Sequence, residues 1–121
     1  MTEAPLARAR PRIDHPDELD RMVKQIVAKV DAVAIYLFGS RARGDADADS
    51  DYDLLIVVPD DFPEGQANTV TAFSLVEGRR IPMDVTMSRT TRFATRRGQI
   101  GTLEYQVARE GVVLHERSDR S

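Results

Sequence analysis

The spacing of apolar residues divides the first half of the chain into helical and extended segments. Between residues 16 and 30 apolar side chains recur every three or four positions, which predicts an amphipathic helix with Asp14 or His15 as its N-cap. The run AVAIYLF at 32–38 is apolar on both faces and predicts a buried strand. A short helix over 40–43 is expected to follow it.

The second half of the chain continues this alternation. The segment YDLLIVVP at 52–59 predicts a central strand, because it is apolar on both faces after its first residues. In RIPMDVTM the apolar and polar residues alternate, so a strand should place Met83 on one face and Asp84 on the other. The remaining predicted elements are a weak helix over 66–77, a helix capped by Ser88, a helix over 102–110 and a strand over 112–115.

This order of elements predicts an α/β (α+β) fold, in which helices flank one mixed β-sheet. The length of 121 residues fits one domain, expected over residues 14–121, after a flexible tail at 1–13 that is rich in proline and arginine. The absence of cysteine excludes disulfides, zinc ribbons and cysteine nucleophiles. No segment has the apolar length of a membrane span or signal peptide, so we expect a cytoplasmic protein.

The net charge of −3 is unevenly distributed, and acidic residues concentrate between positions 45 and 61. Asp51 and Asp53 lie two residues apart at the start of a predicted strand, so both carboxylates should project from the same face. Magnesium takes oxygen ligands and usually combines one or two carboxylates with substrate phosphates. On a neighbouring strand Asp84 would be a third carboxylate, which predicts a site for two metal ions.

A glycine-serine turn precedes this acidic segment. Gly39 and Ser40 follow the first predicted strand, where a residue without a side chain lets a phosphate approach the backbone N–H groups. The Ser40 hydroxyl adds a further hydrogen-bond donor. The turn and the carboxylates together predict a site for a metal-bound triphosphate.

These residues resemble a known family. The string GSRARGDADADSDYDLLIVV, the later PMDVTM and the closing REGVVLHE are similar to the minimal nucleotidyltransferase (MNT) family of the DNA polymerase β superfamily, over about residues 16–117. MNT proteins are often encoded as antitoxins beside a HEPN ribonuclease toxin. The resemblance implies a polymerase β-like nucleotidyltransferase fold.

The resemblance also implies an activity, which is the transfer of AMP from ATP to a hydroxyl, with a tyrosine of the HEPN toxin as the acceptor class. Asp51, Asp53 and Asp84 would then hold two Mg²⁺ ions, and Asp84 could also act as the base. Gly39 and Ser40 would hold the triphosphate. Either Arg41 or Arg43 could supply positive charge to the phosphates.

Two other phosphate or metal motifs are excluded. Counted from Asp45 as a calcium-binding loop, the sixth position is Ser50 instead of glycine and the twelfth is Ile56 instead of glutamate. The spacing of Gly39 and Gly44 imitates a P-loop, but Asp45 stands where that motif requires lysine. Asp47 and its neighbours in the acidic segment therefore predict a solvated loop that leads to the metal-binding pair.

Alternative functions remain open at this point. A non-enzymatic antitoxin could neutralise its toxin by binding alone, and a nucleotidyltransferase of this kind could instead modify a small-molecule hydroxyl. The chain leaves little room for an acceptor-binding domain, so the acceptor is expected to come from another molecule. A later basic stretch suits a solvated helix face, the acidic surface of a protein partner or RNA; its members are Arg89, Arg92, Arg96 and Arg97.

Overall fold

Residues 10–118, which a computed structural model describes, form five helices and four strands. The elements are α1 (Pro16–Lys29), β1 (Ala34–Phe38), α2 (Ser40–Arg43), β2 (Tyr52–Val58), α3 (Thr69–Leu75), β3 (Met83–Arg89), α4 (Thr90–Arg96), α5 (Leu103–Glu110) and β4 (Val112–Glu116). None of the helices in this part of the chain is both long enough and apolar enough to cross a membrane.

The four strands form one sheet in the order β3-β2-β1-β4. Strand β1 runs antiparallel to β2 and to β4, whereas β2 and β3 are parallel. The sheet is therefore mixed, and helices flank it, as the sequence predicted.

The apolar character of β2 is explained by its central position in the sheet. Successive side chains of a strand point to opposite faces, and both faces of β2 are covered. Leu54 and Ile56 pack into a core that includes residues of α1 and α3, whereas Leu55 and Val57 pack on the other face with Phe93 of α4. Both cores hold β2 in place, which fixes the position of the residues at its start.

Two sequence-based expectations were inaccurate at the ends of elements. Helix α3 begins only at Thr69, because the side chain of Asn68 accepts a hydrogen bond from the Thr71 N–H and caps the helix there. Ser88 does not cap α4: it is a buried strand residue whose hydroxyl donates to Glu104, 3.0 Å away. The N-cap of α4 is Arg89.

Two residues of the predicted tail, Arg12 and Ile13, make contacts with the domain. Residues 1–9 lie outside the described part of the chain. Ile13, however, packs against the main core, and the Arg12 backbone N–H donates to the Arg41 carbonyl over 2.8 Å. Arg12 and Ile13 therefore belong to the domain, because they make contacts with it that the composition of the segment does not reveal.

Candidate active site

The predicted metal-binding residues lie at one end of the sheet. Because β2 and β3 are parallel and begin there together, Asp53 and Asp84 are direct neighbours in the register. Backbones of neighbouring strands lie roughly 5 Å apart, and paired residues project from the same face. Asp51 precedes β2 by one residue. The structure thus brings Asp53 and Asp84, which are 31 positions apart in the sequence, to adjacent places in the fold.

Gly39 lies against the carboxylate of Asp53. It follows the last residue of β1, Phe38, which pairs with Asp53 across the antiparallel ladder. The φ of Gly39 is +77°, and a Cβ atom at this position would lie 2.2 Å from Asp53 Oδ2. Both the backbone conformation and the close contact exclude a side chain here. Ser40 then begins α2.

The electrostatics of this site disfavour the ionised form of the Asp53 carboxyl group. Burial is the largest cause that raises the pKa of Asp53, and together with the negative charges of Asp84, Asp51 and Glu110 it brings this pKa to about 6, against an opposing effect of Arg43. Carboxylates that repel one another in this way gain stability when a cation binds between them. Asp53 is half-buried, whereas Asp51 and Asp84 are exposed to solvent.

The donor set fits a hard divalent cation, since carboxylate oxygens are the ligands that Mg²⁺ prefers. Within residues 10–118, no three acidic or histidine side chains are already gathered tightly enough to ligate one ion. The exposed side chains of Asp51 and Asp84 have the rotational freedom to turn toward Asp53. The backbone therefore places the predicted ligands at one end of the sheet, and binding of a cation would bring their oxygens together.

Arg43 is the cation beside the glycine-serine turn. Its side chain is 44% exposed, and Nη1 lies 3.2 Å from Glu110 Oε2. Nε donates to Asp45 over 3.2 Å. These bonds hold the guanidinium at the surface of the site, where it can still reach a bound anion.

Arg41 does not fit its predicted role at the phosphates. Its side chain is only 1% exposed, and the guanidinium lies over the Tyr52 ring, 4.1 Å from the ring centroid. All five N–H donors are used inside the domain, because Arg41 bonds the carboxylate of Asp14 and three backbone carbonyls, those of Arg12, Ala48 and Ser50. With no donor available for a phosphate, Arg41 is a structural residue that joins the N-terminal segment to the acidic loop.

Glu110 is a site residue that the sequence did not indicate. Its Oε2 accepts a 2.6 Å hydrogen bond from the Gly39 N–H, and its carboxylate also pairs with Arg43. The sequence shows Glu110 only as the end of a helix, and the glycine-serine turn is 71 positions away. No local pattern signals such a contact.

The acidic loop and the later basic stretch both have internal roles. Asp47 Oδ1 accepts from the Asp49 N–H over 2.9 Å and so shapes the exposed loop before Asp51.

In the basic stretch, Arg92 and Arg96 pair with the buried Glu104. Arg89 donates to three loop carbonyls, and Arg97 lies over the Phe93 ring; these contacts account for the whole stretch. Each of these arginines thus has a contact inside the domain, while Arg92 and Arg97 are also exposed to solvent.

Comparison with known proteins agrees with this geometry. The family model described as a nucleotidyltransferase domain matches residues 19–110. The crystal structure of a candidate nucleotidyltransferase from Sulfolobus solfataricus superposes with a TM-score of 0.55 at 20% identity, and the match covers 83% of this chain and 78% of that one. At this level of identity the structural match shows a shared fold. No curated protein has significant similarity to the chain.

Proposed function

Because this chain belongs to the nucleotidyltransferase domain family, we propose that it transfers AMP from Mg²⁺-bound ATP to a hydroxyl group of a separate molecule. The observation that carries the proposal is the position of Asp53, which lies beside Asp84 in the sheet and against Gly39 in the turn. This arrangement supports a single site in which carboxylates and phosphate-binding groups share one edge.

In this reaction the residues of the site would bind either the metal ions or the triphosphate. Asp51, Asp53 and Asp84 would hold the metal ions, which when bound neutralise phosphate charge and increase the acidity of the acceptor hydroxyl. Two further groups would bind the triphosphate: the glycine-serine turn, through the Gly39 N–H and the Ser40 hydroxyl, and the guanidinium of Arg43.

The reaction itself is an in-line displacement. The acceptor oxygen forms a bond to the α-phosphorus of ATP as the bond from that phosphorus to the bridging oxygen breaks, and pyrophosphate leaves with that oxygen. The hydroxyl proton passes to a carboxylate, for which Asp84 is the candidate, and then to solvent. Little covalent work is needed from the protein, because positioning and charge neutralisation supply most of the rate enhancement.

We further propose that the acceptor is a tyrosine hydroxyl of a HEPN ribonuclease toxin and that the chain is its antitoxin. This finer assignment is supported by the resemblance of the glycine-serine, paired-aspartate and REGVVLHE segments to the MNT family. The assignment predicts that modification of the toxin stops its ribonuclease activity.

Incubation of the chain with Mg²⁺, labelled ATP and a HEPN protein encoded beside it tests both proposals. We expect the toxin to gain the mass of one or more AMP groups, and Asp51→Asn to abolish this gain. Asp49→Asn is the matched control, because it makes the same charge change on the exposed loop two residues earlier.

Three results would contradict a proposal. Neutralisation of the toxin by wild type and Asp51→Asn alike, without added mass, would mean that the antitoxin acts by binding alone. Transfer to small-molecule hydroxyls without transfer to the protein would overturn the acceptor assignment. Equal loss of activity in Asp49→Asn and Asp51→Asn would contradict the specific role of Asp51.

A further inference from the structure

The carboxylate of Glu110 accepts hydrogen bonds from the donors around the glycine-serine turn. Glu110 Oε2 is 2.6 Å from the Gly39 nitrogen, and both carboxylate oxygens are 3.2 Å from Arg43 Nη1. Gln106, one turn earlier in α5, donates to the same Oε2 over 2.9 Å. The Glu110 side chain is only 18% exposed. It is therefore held in one orientation by a backbone N–H, a guanidinium and an amide.

A carboxylate and a phosphate place similar demands on such donors, because each presents negatively charged oxygens to N–H groups. The Gly39 N–H has a single hydrogen, so it cannot serve Glu110 and a phosphate oxygen with full strength at once. Arg43 is already shared between Glu110 and Asp45. Glu110 thus occupies the position beside Gly39 and Arg43 that an incoming anion needs.

We propose that Glu110 is an internal competitor of the nucleotide: its carboxylate must leave Gly39 and Arg43 before the triphosphate can bind there. The inference rests on the proposed function, since it names the group that this same site has to displace. Glu110 thereby sets the affinity of the site for the nucleotide's phosphates.

The surroundings of Glu110 favour this exchange. The negative charge of Glu110 repels the negatively charged oxygens of an incoming phosphate. A cavity of about 680 Å³ borders Arg43, Arg109 and Glu110. The side chain consequently has open space on one side into which it can rotate without unfolding α5.

The test is the affinity of the purified chain for Mg²⁺-ATP and for inorganic tripolyphosphate, measured by calorimetry. Glu110→Gln keeps the shape of the side chain but removes its charge, so we expect Kd for both ligands to fall about three- to tenfold. Gln106→Ala removes only one of the hydrogen bonds that orient Glu110, so it should also lower Kd, but by a smaller factor.

Asp45→Asn is the matched control. It removes an equal charge from the same arginine, since Asp45 also pairs with Arg43, but Asp45 makes no hydrogen bond to the Gly39 N–H within residues 10–118. A larger effect of Glu110→Gln than of Asp45→Asn separates direct competition from a general loss of negative charge.

The possible results test the competition by Glu110 and the proposed function separately. Unchanged or weaker binding by Glu110→Gln, or an effect equal to that of Asp45→Asn, overturns the competition while nucleotide binding itself stands. If tripolyphosphate shows the expected difference but no variant binds ATP, Glu110 is a competitor and the proposed function fails. Absence of binding for both ligands overturns both.

Discussion

Gly39 and Asp53 show how closely a single contact constrains the candidate active site. The Asp53 carboxylate lies where a side chain at position 39 would begin, and Gly39 has a backbone conformation that side chains disfavour. Gly39 directly follows β1 and Asp53 lies in the neighbouring strand β2, so their contact also fixes the distance between the turn and the Asp53 carboxylate. Replacement of either residue should therefore affect the site in a different, measurable way.

Gly39→Ala should destabilise the protein and abolish transfer, because the new Cβ would displace the Asp53 carboxylate. We expect the free energy of unfolding to fall by about 2–4 kcal/mol, from backbone strain and the clash together. Gly78→Ala is the control: Gly78 has a φ of +82° but open space around it, so that variant should lose only about 1–2 kcal/mol and keep its activity. Equal losses in both variants, measured by urea denaturation, would contradict the role of the Asp53 contact.

Asp53→Asn should stabilise the metal-free protein at neutral pH while it abolishes transfer. The pKa of Asp53 rises from 3.8 to about 6 on folding, mainly through burial. Between these values the folded protein binds more protons than the unfolded chain, so stability falls as the pH rises through this window. Asp53→Asn does not show this decrease of stability with pH. At pH 7 its free energy of unfolding should therefore exceed that of wild type by on the order of 1–2 kcal/mol. Urea denaturation in EDTA at pH 4.5 and pH 7 measures the difference, and a variant less stable than wild type at pH 7 would contradict it.

At the scale of elements, the four-residue helix α2 carries two arginines with opposite tasks. Arg41 points into the domain, where it bonds Asp14 and the carbonyls of the acidic loop. Arg43 lies at the surface of the site beside Glu110. Within α2 Arg41 is buried and Arg43 is exposed, which separates a structural cation from one that a ligand can reach.

Substitution of these arginines should separate stability from nucleotide affinity. Arg41→Lys loses most of the five hydrogen bonds in a buried place, so we expect a loss of about 2–4 kcal/mol in the free energy of unfolding. Arg43→Ala should cost little stability but raise the Kd for Mg²⁺-ATP about tenfold, because a charge-assisted bond to phosphate is lost. Thermal unfolding and calorimetry measure the two effects, and a nucleotide affinity that depends on Arg41 in a fully folded variant would contradict this assignment.

At the scale of the whole molecule, the proposed metal binding at the acidic end of the sheet would be coupled to folding. Carboxylates must be deprotonated to bind a cation, and the ligand positions come from two parallel strands that exist only in the folded state. Binding should therefore stabilise the domain, and more strongly as the pH rises past the raised pKa of Asp53.

We expect Mg²⁺ to raise the free energy of unfolding by about 2–3 kcal/mol at roughly a hundred times its Kd, and by less at pH 5 than at pH 7.5. The stabilisation should disappear in Asp51→Asn and remain in Asp49→Asn. Thermal unfolding with and without EDTA provides the measurement. A stabilisation that is equal in the two variants would place the cation elsewhere on the molecule.

The sequence by itself determined the order of helices and strands, and this order predicted one mixed sheet flanked by helices. These features follow from local periodicity and from glycine, proline and capping residues, which act within a few positions of one another. The glycine-serine turn and the Asp51–Asp53 pair are also local, since one turn and one strand contain all of their geometry. Ser88 was misassigned because its hydroxyl is used by Glu104, which is distant in the sequence.

Only the tertiary structure decided which polar side chains are internal and which face a ligand. Arg41 and Arg43 have the same chemistry in the sequence, and their burial differs because Tyr52 and the N-terminal segment enclose just one of them. Glu110 reaches Gly39 because β4 pairs with β1 and brings the end of α5 to the turn. Such contacts depend on the packing of distant segments, and no periodic pattern in the chain encodes them.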